Sequence, residues 1–157
     1  MCGGITKNTT AKITIQHGLI YDKLLRRFGI GRAGQYLCAQ KAALQKYREL
    51  CSGMDCDFEE KDAYVYALEE QRKLEQELSA MERLGFHGDF VEHLPLPFPV
   101  AGAVRVHNQA QFHPLKFVCC LAKGLHIYEH TPVRELIGTT AVTDSGKVAA
   151  KAVIVAT

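Results

Sequence analysis

The sequence predicts an α+β fold, and three observations support this class. Apolar residues at helical spacing predict three helices, at residues 19–28, 35–51 and about 69–84. Residues 55–68 change to a period of two, which predicts two short strands around a polar turn at 59–62. Beyond Gly124 the segments alternate or are wholly apolar, which is typical of strands.

The three helices are predicted from their apolar faces and from the glycines that end the first and the third, Gly29 and Gly85. The apolar faces comprise Ile20, Leu24 and Phe28 in the first helix, Tyr36, Leu37, Ala43, Leu44, Tyr47 and Leu50 in the second, and Leu74, Leu78 and Met81 in the third. Each set recurs at three- and four-residue spacing, so each helix is expected to bury one face.

A strand and a fourth helix are predicted to follow. The proline-rich run 94–100 cannot be helical, because proline lacks an amide hydrogen and restricts the residue before it. Residues 101–106 predict a strand. Residues 113–124 predict a helix, with Pro114 in its first turn and Gly124 after its end.

The C-terminal residues predict further strands. Residues 125–130 are strand-like, 132–138 alternate, and a hairpin turn is predicted at 144–146. The stretch "AVIVA" at 152–156 is apolar on both sides, which is typical of a strand buried on both faces of a parallel sheet.

Two domain organisations account for this pattern. In the first, residues 1–12 and 124–157 are pieces of a larger sheet domain, and residues 13–123 form an α+β unit inserted between them. In the second, all strands pair with one another in one compact α+β domain. The pattern by itself favours the second.

Composition and charge exclude several classes of function. The net charge is +2 and the cations alternate with acids, so nucleic-acid binding is not expected. No apolar run approaches the roughly 18 residues of a membrane span. The six cysteines form no CxxC pair and the seven histidines do not cluster, so no metal site is predicted. Because no leader-like apolar run follows Met1, we expect reduced cysteines and a cytoplasmic protein.

Four stretches resemble landmarks of one enzyme family, and they occur in the family's order. They are "GGITKNTTAKIT" (3–14), "AVRVHNQAQFHPLKF" (103–117), "GLHIYEHTPVREL" (124–136) and "VIVAT" (153–157). The chain resembles an interior fragment of FAD-dependent oxidoreductases of the D-amino-acid oxidase superfamily, which includes glycine and sarcosine oxidases. The resemblance implies pieces of an FAD-binding, Rossmann-like domain flanking a substrate domain of antiparallel sheet and helices. It also implies that the N-terminal GxGxxG unit and the C-terminal segment of the family are missing.

The resemblance implies FAD as the cofactor, bound at three places. "TKNTTAK" (6–12) matches a loop that wraps around the pyrophosphate and flavin side of FAD. Val133 matches a residue that touches the adenine through its backbone, and the last two residues match a strand end that closes over the dinucleotide. The implied FAD-binding residues are Thr6, Asn8, Thr9, Thr10, Ala11, Lys12, Val133, Ala156 and Thr157. From the residues alone, a flexible leader is the better interpretation of the first stretch, and Val133 fits an ordinary strand core.

The resemblance also places residues 108–116 near the flavin ring. Gln109, Gln111 and His113 would face the substrate chamber, where amides could bind a carboxylate and the imidazole could act as a base. An alternative for His113 is a helix N-cap before Pro114. Candidates on the substrate-domain strands are Arg105, Tyr64 and Tyr66, which could bind a substrate carboxylate. Arg105 could equally be a surface ion-pair partner, and the tyrosines could be core residues with exposed hydroxyls.

Two functions follow as hypotheses. The first is an FAD-dependent oxidoreductase that oxidises a CH–NH bond of a small-molecule amine or amino acid by hydride transfer to flavin. Its electron acceptor would be oxygen, a quinone or another protein. The second is a non-catalytic α+β binding module, a truncated fragment without cofactor. In either case this chain alone is expected to be colourless and inactive, because the helix N-terminus that binds the pyrophosphate is missing.

Overall fold

The computed structural model describes Cys2 and residues 4–156, so the predicted cofactor residue Thr157 lies outside the described residues. The chain divides into two compact units, residues 2–121 and residues 122–156. In the part described, no helix has the length and apolar character needed to cross a membrane.

The larger unit is an antiparallel sheet with helices. It begins with a 3₁₀ turn at Ile5–Asn8. The strands are β1 (Lys12–Ile13), β2 (Glu59–Ala67), β3 (Asp89–Val91) and β4 (Gly102–Gln111), and the helices are α1 (Tyr21–Cys51), α2 (Gln71–Arg83) and α3 (Pro114–Leu121). Strand β4 is central, because β2 pairs along one of its edges while β3 and β1 pair with the two ends of the other.

The core of this unit lies on the helix side of β4. Val104 and Val106 are buried there and belong to one cluster with apolar residues of both long helices. These helix residues include Leu25, Leu37 and Leu44 of α1 and Leu74, Ala80 and Met81 of α2. The alternate residues Arg105 and His107 remain accessible, because successive side chains of a strand point to opposite faces.

A buried carboxylate caps α1. The two oxygens of Glu77 accept the backbone N–H groups of Tyr21 and Asp22, at 2.8 and 2.9 Å. Glu77 is fully buried, and desolvation raises its pKa although these two hydrogen bonds oppose the shift. The carboxylate therefore satisfies two N–H groups that a helix start leaves without partners.

Helix α1 merges the two predicted helices 19–28 and 35–51 across a break at Gly29. The backbone of this glycine has φ 74° and ψ 171°. A residue with a Cβ adopts these backbone angles only with strain. Residues 29–34, "GIGRAG", do carry the spacing G-x-G-x-x-G. They follow a helix rather than a strand, so they do not form a dinucleotide-binding loop.

Strand β2 differs from the sequence prediction. Instead of two short strands around a turn at 59–62, one nine-residue strand pairs with β4, and an irregularity between Lys61 and Ala63 accommodates the polar stretch. Strand β4 likewise continues beyond the predicted 101–106, because it has a partner along its whole length. Strand β3 was not predicted, since its three residues carry too little pattern.

The smaller unit is a three-stranded meander of β5 (Val133–Ile137), β6 (Thr140–Thr143) and β7 (Gly146–Ala149). The pairing of Thr143 with Gly146 confirms the predicted turn at 144–146. The predictions of strands at 125–130 and 152–156 are wrong for this structure. Both segments are largely exposed and pair with no strand of the described meander, and an apolar sequence without a neighbouring strand has no ladder to join.

Candidate functional site

The predicted cofactor loop is attached to the end of β4. Ala11 adopts a left-handed conformation with φ 60°, and its N–H donates to Thr9 Oγ1 at 3.3 Å. The Ala11 carbonyl accepts the N–H of Phe112, also at 3.3 Å. Strand β1 then pairs Lys12 with Gln111, so the loop enters the sheet directly beside the residues 109–113.

A cavity of about 430 Å³ lies beside this loop and is bordered by α1 and α3. Four predicted cofactor residues line it, namely Thr6, Thr9, Ala11 and Lys12. Much of the remaining lining is apolar and includes Leu44, Tyr47, Phe112 and Phe117. Small-molecule sites of roughly 300–1,000 Å³ combine apolar walls with a few polar groups, and this cavity has that character.

Three aromatic rings pack together in the wall of the cavity. The ring centroid of Tyr47 lies 5.6 Å from those of Phe112 and Phe117, which are 5.2 Å from each other. The two contacts of Phe112 are edge-to-face and the contact between Tyr47 and Phe117 is tilted, and such packing restrains the rings. The wall is therefore a rigid apolar surface against which a planar aromatic group can lie.

Two buried glutamines near the loop differ in whether their side-chain amides have hydrogen-bond partners. Gln109 is buried, and its Oε1 accepts the Ile15 N–H at 2.8 Å while its Nε2 donates to the His107 carbonyl at 2.8 Å. Gln16 is only 3% exposed, yet neither of its amide atoms has a hydrogen-bond partner among the described residues. An unpaired buried amide costs roughly 1–3 kcal/mol. Gln16 is not among the residues that line the cavity, so its unpaired amide is not part of the candidate site.

Lys12 adds a positive charge to the cavity lining and forms no ion pair within the described part of the chain. FAD carries a pyrophosphate and ribityl hydroxyls together with a flat, polar-edged ring. Hydroxyl donors, an unpaired ammonium and an aromatic wall are the chemistry such a molecule needs. The residues present thus fit the flavin side of FAD.

A second group of polar residues lies on the accessible face of the sheet. His107 Nδ1 lies 3.0 Å from Asp62 and its Nε2 lies 2.8 Å from Asp89. Arg105 donates to the same Asp89 oxygen from Nε at 3.1 Å and from Nη2 at 2.7 Å. Tyr64 pairs directly with Arg105 in the strand register, so the two side chains lie on the same face, and after Asp89 the Tyr64 phenol helps to raise the pKa of Arg105.

The charges of this sheet-face cluster stabilise one another. Hydrogen bonds from Arg105 and then from His107 lower the pKa of Asp89. Hydrogen bonds to Asp89 and then to Asp62 raise the pKa of His107. The cluster is accessible to solvent, so each pair contributes modestly to stability. It keeps a guanidinium, an imidazole and a phenol together on one face.

The structure brings only some of the predicted site residues together. Tyr64, Tyr66 and Arg105 share the accessible face, where the Tyr66 ring lies 5.9 Å from that of Phe98. Gln111 is at the other end of β4, six residues from Arg105 and so about 20 Å away. There its amide donates to Glu59 at 3.0 Å.

His113 occupies the start of α3. Its Nδ1 accepts the backbone N–H of Lys116 at 3.4 Å, and its own N–H donates to the Cys56 carbonyl at 2.7 Å. This geometry matches the N-cap alternative. A role for His113 as a base stays a prediction. His113 follows the end of β4 at Gln111, which is the end of the strand away from the sheet-face cluster.

The remaining predicted residues are in the smaller unit or outside the cavity. Val133 begins β5 and is exposed, and Ala156 lies in no strand. Asn8 and Thr10 are on the loop but are not among the residues that line the cavity.

Sequence reasoning missed Asp62, Asp89 and His107. The spacing of two residues between Arg105 and His107 would have placed both on one strand face. Asp62 and Asp89 gave no comparable signal, because one lies at an irregular position and the other in an unpredicted strand. In the described part of the chain, no three His, Cys, Asp or Glu side chains are placed to hold a metal ion.

Comparisons with known proteins agree with the fold. The family model of DAO, FAD dependent oxidoreductase, matches residues 2–157. The chain is 38% identical over 137 residues to YhfW of Bacillus subtilis (strain 168), a protein provisionally named a Rieske 2Fe-2S iron-sulfur protein; the match covers 82% of this chain and 27% of that protein. The crystal structure of glycine oxidase from Geobacillus kaustophilus superposes with a TM-score of 0.64 at 19% identity, over 97% of this chain and 45% of that one.

The chain therefore spans about a quarter of the relative and less than half of the glycine oxidase chain. The structural similarity confirms the predicted fold, mixed helices and antiparallel sheet as found in glycine oxidase. The family match covers nearly all residues and confirms the resemblance seen in the sequence. This chain belongs to the DAO family of FAD-dependent oxidoreductases.

Proposed function

We propose that this chain is part of an enzyme that oxidises a CH–NH bond of a small amine or amino acid. The observation that carries the proposal is the cavity beside the loop 6–12, in a chain that belongs to a family of FAD-dependent oxidoreductases. FAD, when bound, supplies the acceptor for the substrate's hydride. The chain's own residues bind and orient the two molecules.

The cofactor side of the site is assigned to the loop and the cavity. The hydroxyls of Thr6 and Thr9 can donate to ribityl or phosphate oxygens, and Lys12 can balance phosphate charge. Gln109 positions the segment by holding Ile15 and does not itself need to touch the cofactor.

The substrate side is assigned to the sheet-face cluster. Because Arg105 lies about 20 Å along β4 from Gln111 and the loop 6–12, this assignment requires the flavin ring to extend out of the cavity to the accessible face. A substrate carboxylate would share the guanidinium of Arg105 with Asp89, and Tyr64 offers a phenol on the neighbouring strand. Tyr66 and Phe98 add apolar surface beside these polar groups. The arrangement suits a small molecule with one anionic end.

A flavin titration of the complete gene product tests the cofactor assignment. We expect the purified polypeptide to carry FAD or to take it up on refolding, whereas this chain alone stays colourless. Replacement Thr6→Val removes a hydroxyl that lines the cavity and should weaken FAD binding by several-fold or more. The matched control Thr10→Val changes the same loop outside the cavity and should change binding less. If the complete polypeptide takes up no flavin, the proposal is wrong.

Anaerobic reduction tests the reaction class. Addition of an amine or amino-acid substrate should bleach the flavin absorption of the loaded protein. For a substrate with a carboxylate, Arg105→Gln should raise KM on the order of tenfold or more. The control Arg134→Gln breaks a comparable exposed Arg–Asp pair in the smaller unit and should leave KM unchanged. A flavin that is reduced by no amine but by another class of donor would contradict amine oxidation.

A protein electron acceptor is a more specific alternative to oxygen or quinone. It is favoured by the 38% identity to a relative whose name refers to a Rieske 2Fe-2S centre. No ligand set for such a centre exists among the described residues, so the cluster would lie elsewhere in the complete polypeptide or in a partner. Iron and sulfide analysis with EPR of the reduced complete gene product tests this. A cluster-free protein that reduces oxygen directly would overturn it.

A further inference from the structure

The break in α1 produces an exposed apolar tip that the proposed oxidation does not use. Phe28 is 43% exposed and Ile30 is 57% exposed, one on each side of Gly29. The first α1 segment was predicted to bury Phe28 together with Ile20 and Leu24. In the structure Phe28 is instead exposed, as is Ile30 on the other side of the break at Gly29.

Cations surround this tip. Lys23, Arg26, Arg27 and Arg32 are all exposed, and the only acid between residues 19 and 37 is Asp22, which is paired with Arg26. The guanidinium of Arg27 lies over the Phe28 ring, 5.2 Å from its centroid. Lys23 and Arg32 form no ion pair in the part of the chain that the structure describes. The tip thus presents two apolar side chains within a field of positive charge.

This combination matches the chemistry of an anionic lipid surface. Interfacial segments insert apolar side chains at the level of the headgroups while Lys and Arg bind the lipid phosphates. No described helix can cross a membrane, so the contact would be peripheral. We propose that the tip formed by residues 23–32 binds the surface of anionic phospholipid membranes.

The chain contains a second exposed apolar site that serves as a matched control. Leu68 is 61% exposed, but Glu69 and Glu70 follow it immediately. Arg72 and Lys73 in the first turn of α2 are exposed cations, as Arg27 and Arg32 are. Single exposed apolar residues also lie beside a cation elsewhere in the described chain, as at Leu125 and Lys123, but the α1 tip combines two exposed apolar side chains with four cations.

Co-sedimentation with vesicles tests the proposal. The chain should bind vesicles of equimolar phosphatidylcholine and phosphatidylglycerol, and not vesicles of phosphatidylcholine alone, with binding that weakens at high salt. The double variant Arg27→Glu/Arg32→Glu should lower the partition coefficient at least about tenfold. Phe28→Ser and Ile30→Ser should each lower it several-fold. The controls Arg72→Glu/Lys73→Glu and Leu68→Ser should change it less than about twofold.

Several results would overturn the proposal. They are equal binding to neutral vesicles, no loss in the tip variants, or an equal loss in the α2 control. All changed residues are exposed, so unchanged circular dichroism and unfolding midpoints should accompany the loss of binding. The complete gene product must also bind; if only the isolated chain does, neighbouring segments cover the tip and the proposal is wrong.

Discussion

The two units of the chain contain similar strands but differ in burial. Residues 2–121 bury an extensive set of apolar side chains, among them Leu74, Met81 and Val104, which are fully inaccessible. In residues 122–156 no residue is buried, and β5 and β7 are exposed at every position. Both units nevertheless form regular antiparallel ladders.

This difference separates what local sequence determines from what packing determines. The meander follows local signals, alternating residues and a tight turn, and its residues 122–156 contribute no buried core. Its apolar residues, such as Ile137 and Ile154, remain exposed at 54% and 91%. Stability should therefore be concentrated in the larger unit, where helices cover one face of the sheet.

Hydrogen exchange should give the largest contrast. Amides of β4 are expected to exchange on the order of a thousandfold or more slowly than those of β6, because opening β4 requires global unfolding while opening β6 exposes no core. Exchange measured by mass spectrometry on peptides covering each strand decides this. Comparable protection in the two strands would mean that the meander is stabilised by contacts other than its own.

A matched pair of leucines should give the next largest effect. Leu74→Ala removes a fully buried side chain and should lower the free energy of unfolding by about 2–5 kcal/mol. Leu136→Ala removes a side chain that is 43% exposed and should cost less than about 1 kcal/mol. Denaturant unfolding of both variants checks the difference. Equal costs would contradict the contrast between the units.

The buried carboxylate of Glu77 links stability to pH. Glu77→Ala leaves two helix N–H groups without partners and should cost about 2–4 kcal/mol. Because burial raises the pKa of Glu77, its ionised form is disfavoured in the fold. The stability of the wild type relative to Glu77→Gln should be highest below the ordinary pKa of 4.5 and fall as pH rises through the raised value. A relative stability that rises over this range would contradict the assignment.

The smallest expected effect concerns the exposed sheet-face cluster. The pKa of His107 is raised mainly by Asp89 and further by Asp62, so its stabilising contribution is present below the ordinary value of 6.5 and lost as pH rises through the raised one. An NMR titration of the His107 imidazole gives the pH at which it is half protonated, and this midpoint should move to lower pH in Asp89→Asn. Asp144→Asn, in the smaller unit, is the control and should leave it in place.

The sequence predicted those elements whose pattern is long and local. Helix α2 was predicted within two residues at its start and one at its end, because Leu74, Leu78 and Met81 repeat at helical spacing over about two turns. The prediction of a strand at residues 152–156 was wrong. Whether an apolar run becomes a strand depends on a neighbouring strand, which the local pattern does not contain. Gly29 was predicted to end the first of two separate helices. In the structure only Gly29 leaves the helical conformation, and the residues after it are helical again.

The candidate site was predictable only in part. The hydroxyl-rich loop was found through the resemblance, and four of its residues line the cavity. The rest of the cavity comes from α1 and from Phe112 and Phe117, whose approach depends on tertiary packing. Likewise, Asp89 reaches His107 through a strand pairing between β3 and β4 that no local signal indicates.

The most direct test of the flavin assignment is a crystal structure of the complete gene product with FAD. We expect ribityl or phosphate atoms in the cavity, within hydrogen-bond distance of residues 6–12. A structure in which FAD binds without touching residues 6–16, with the cavity filled by protein side chains, would contradict the assignment.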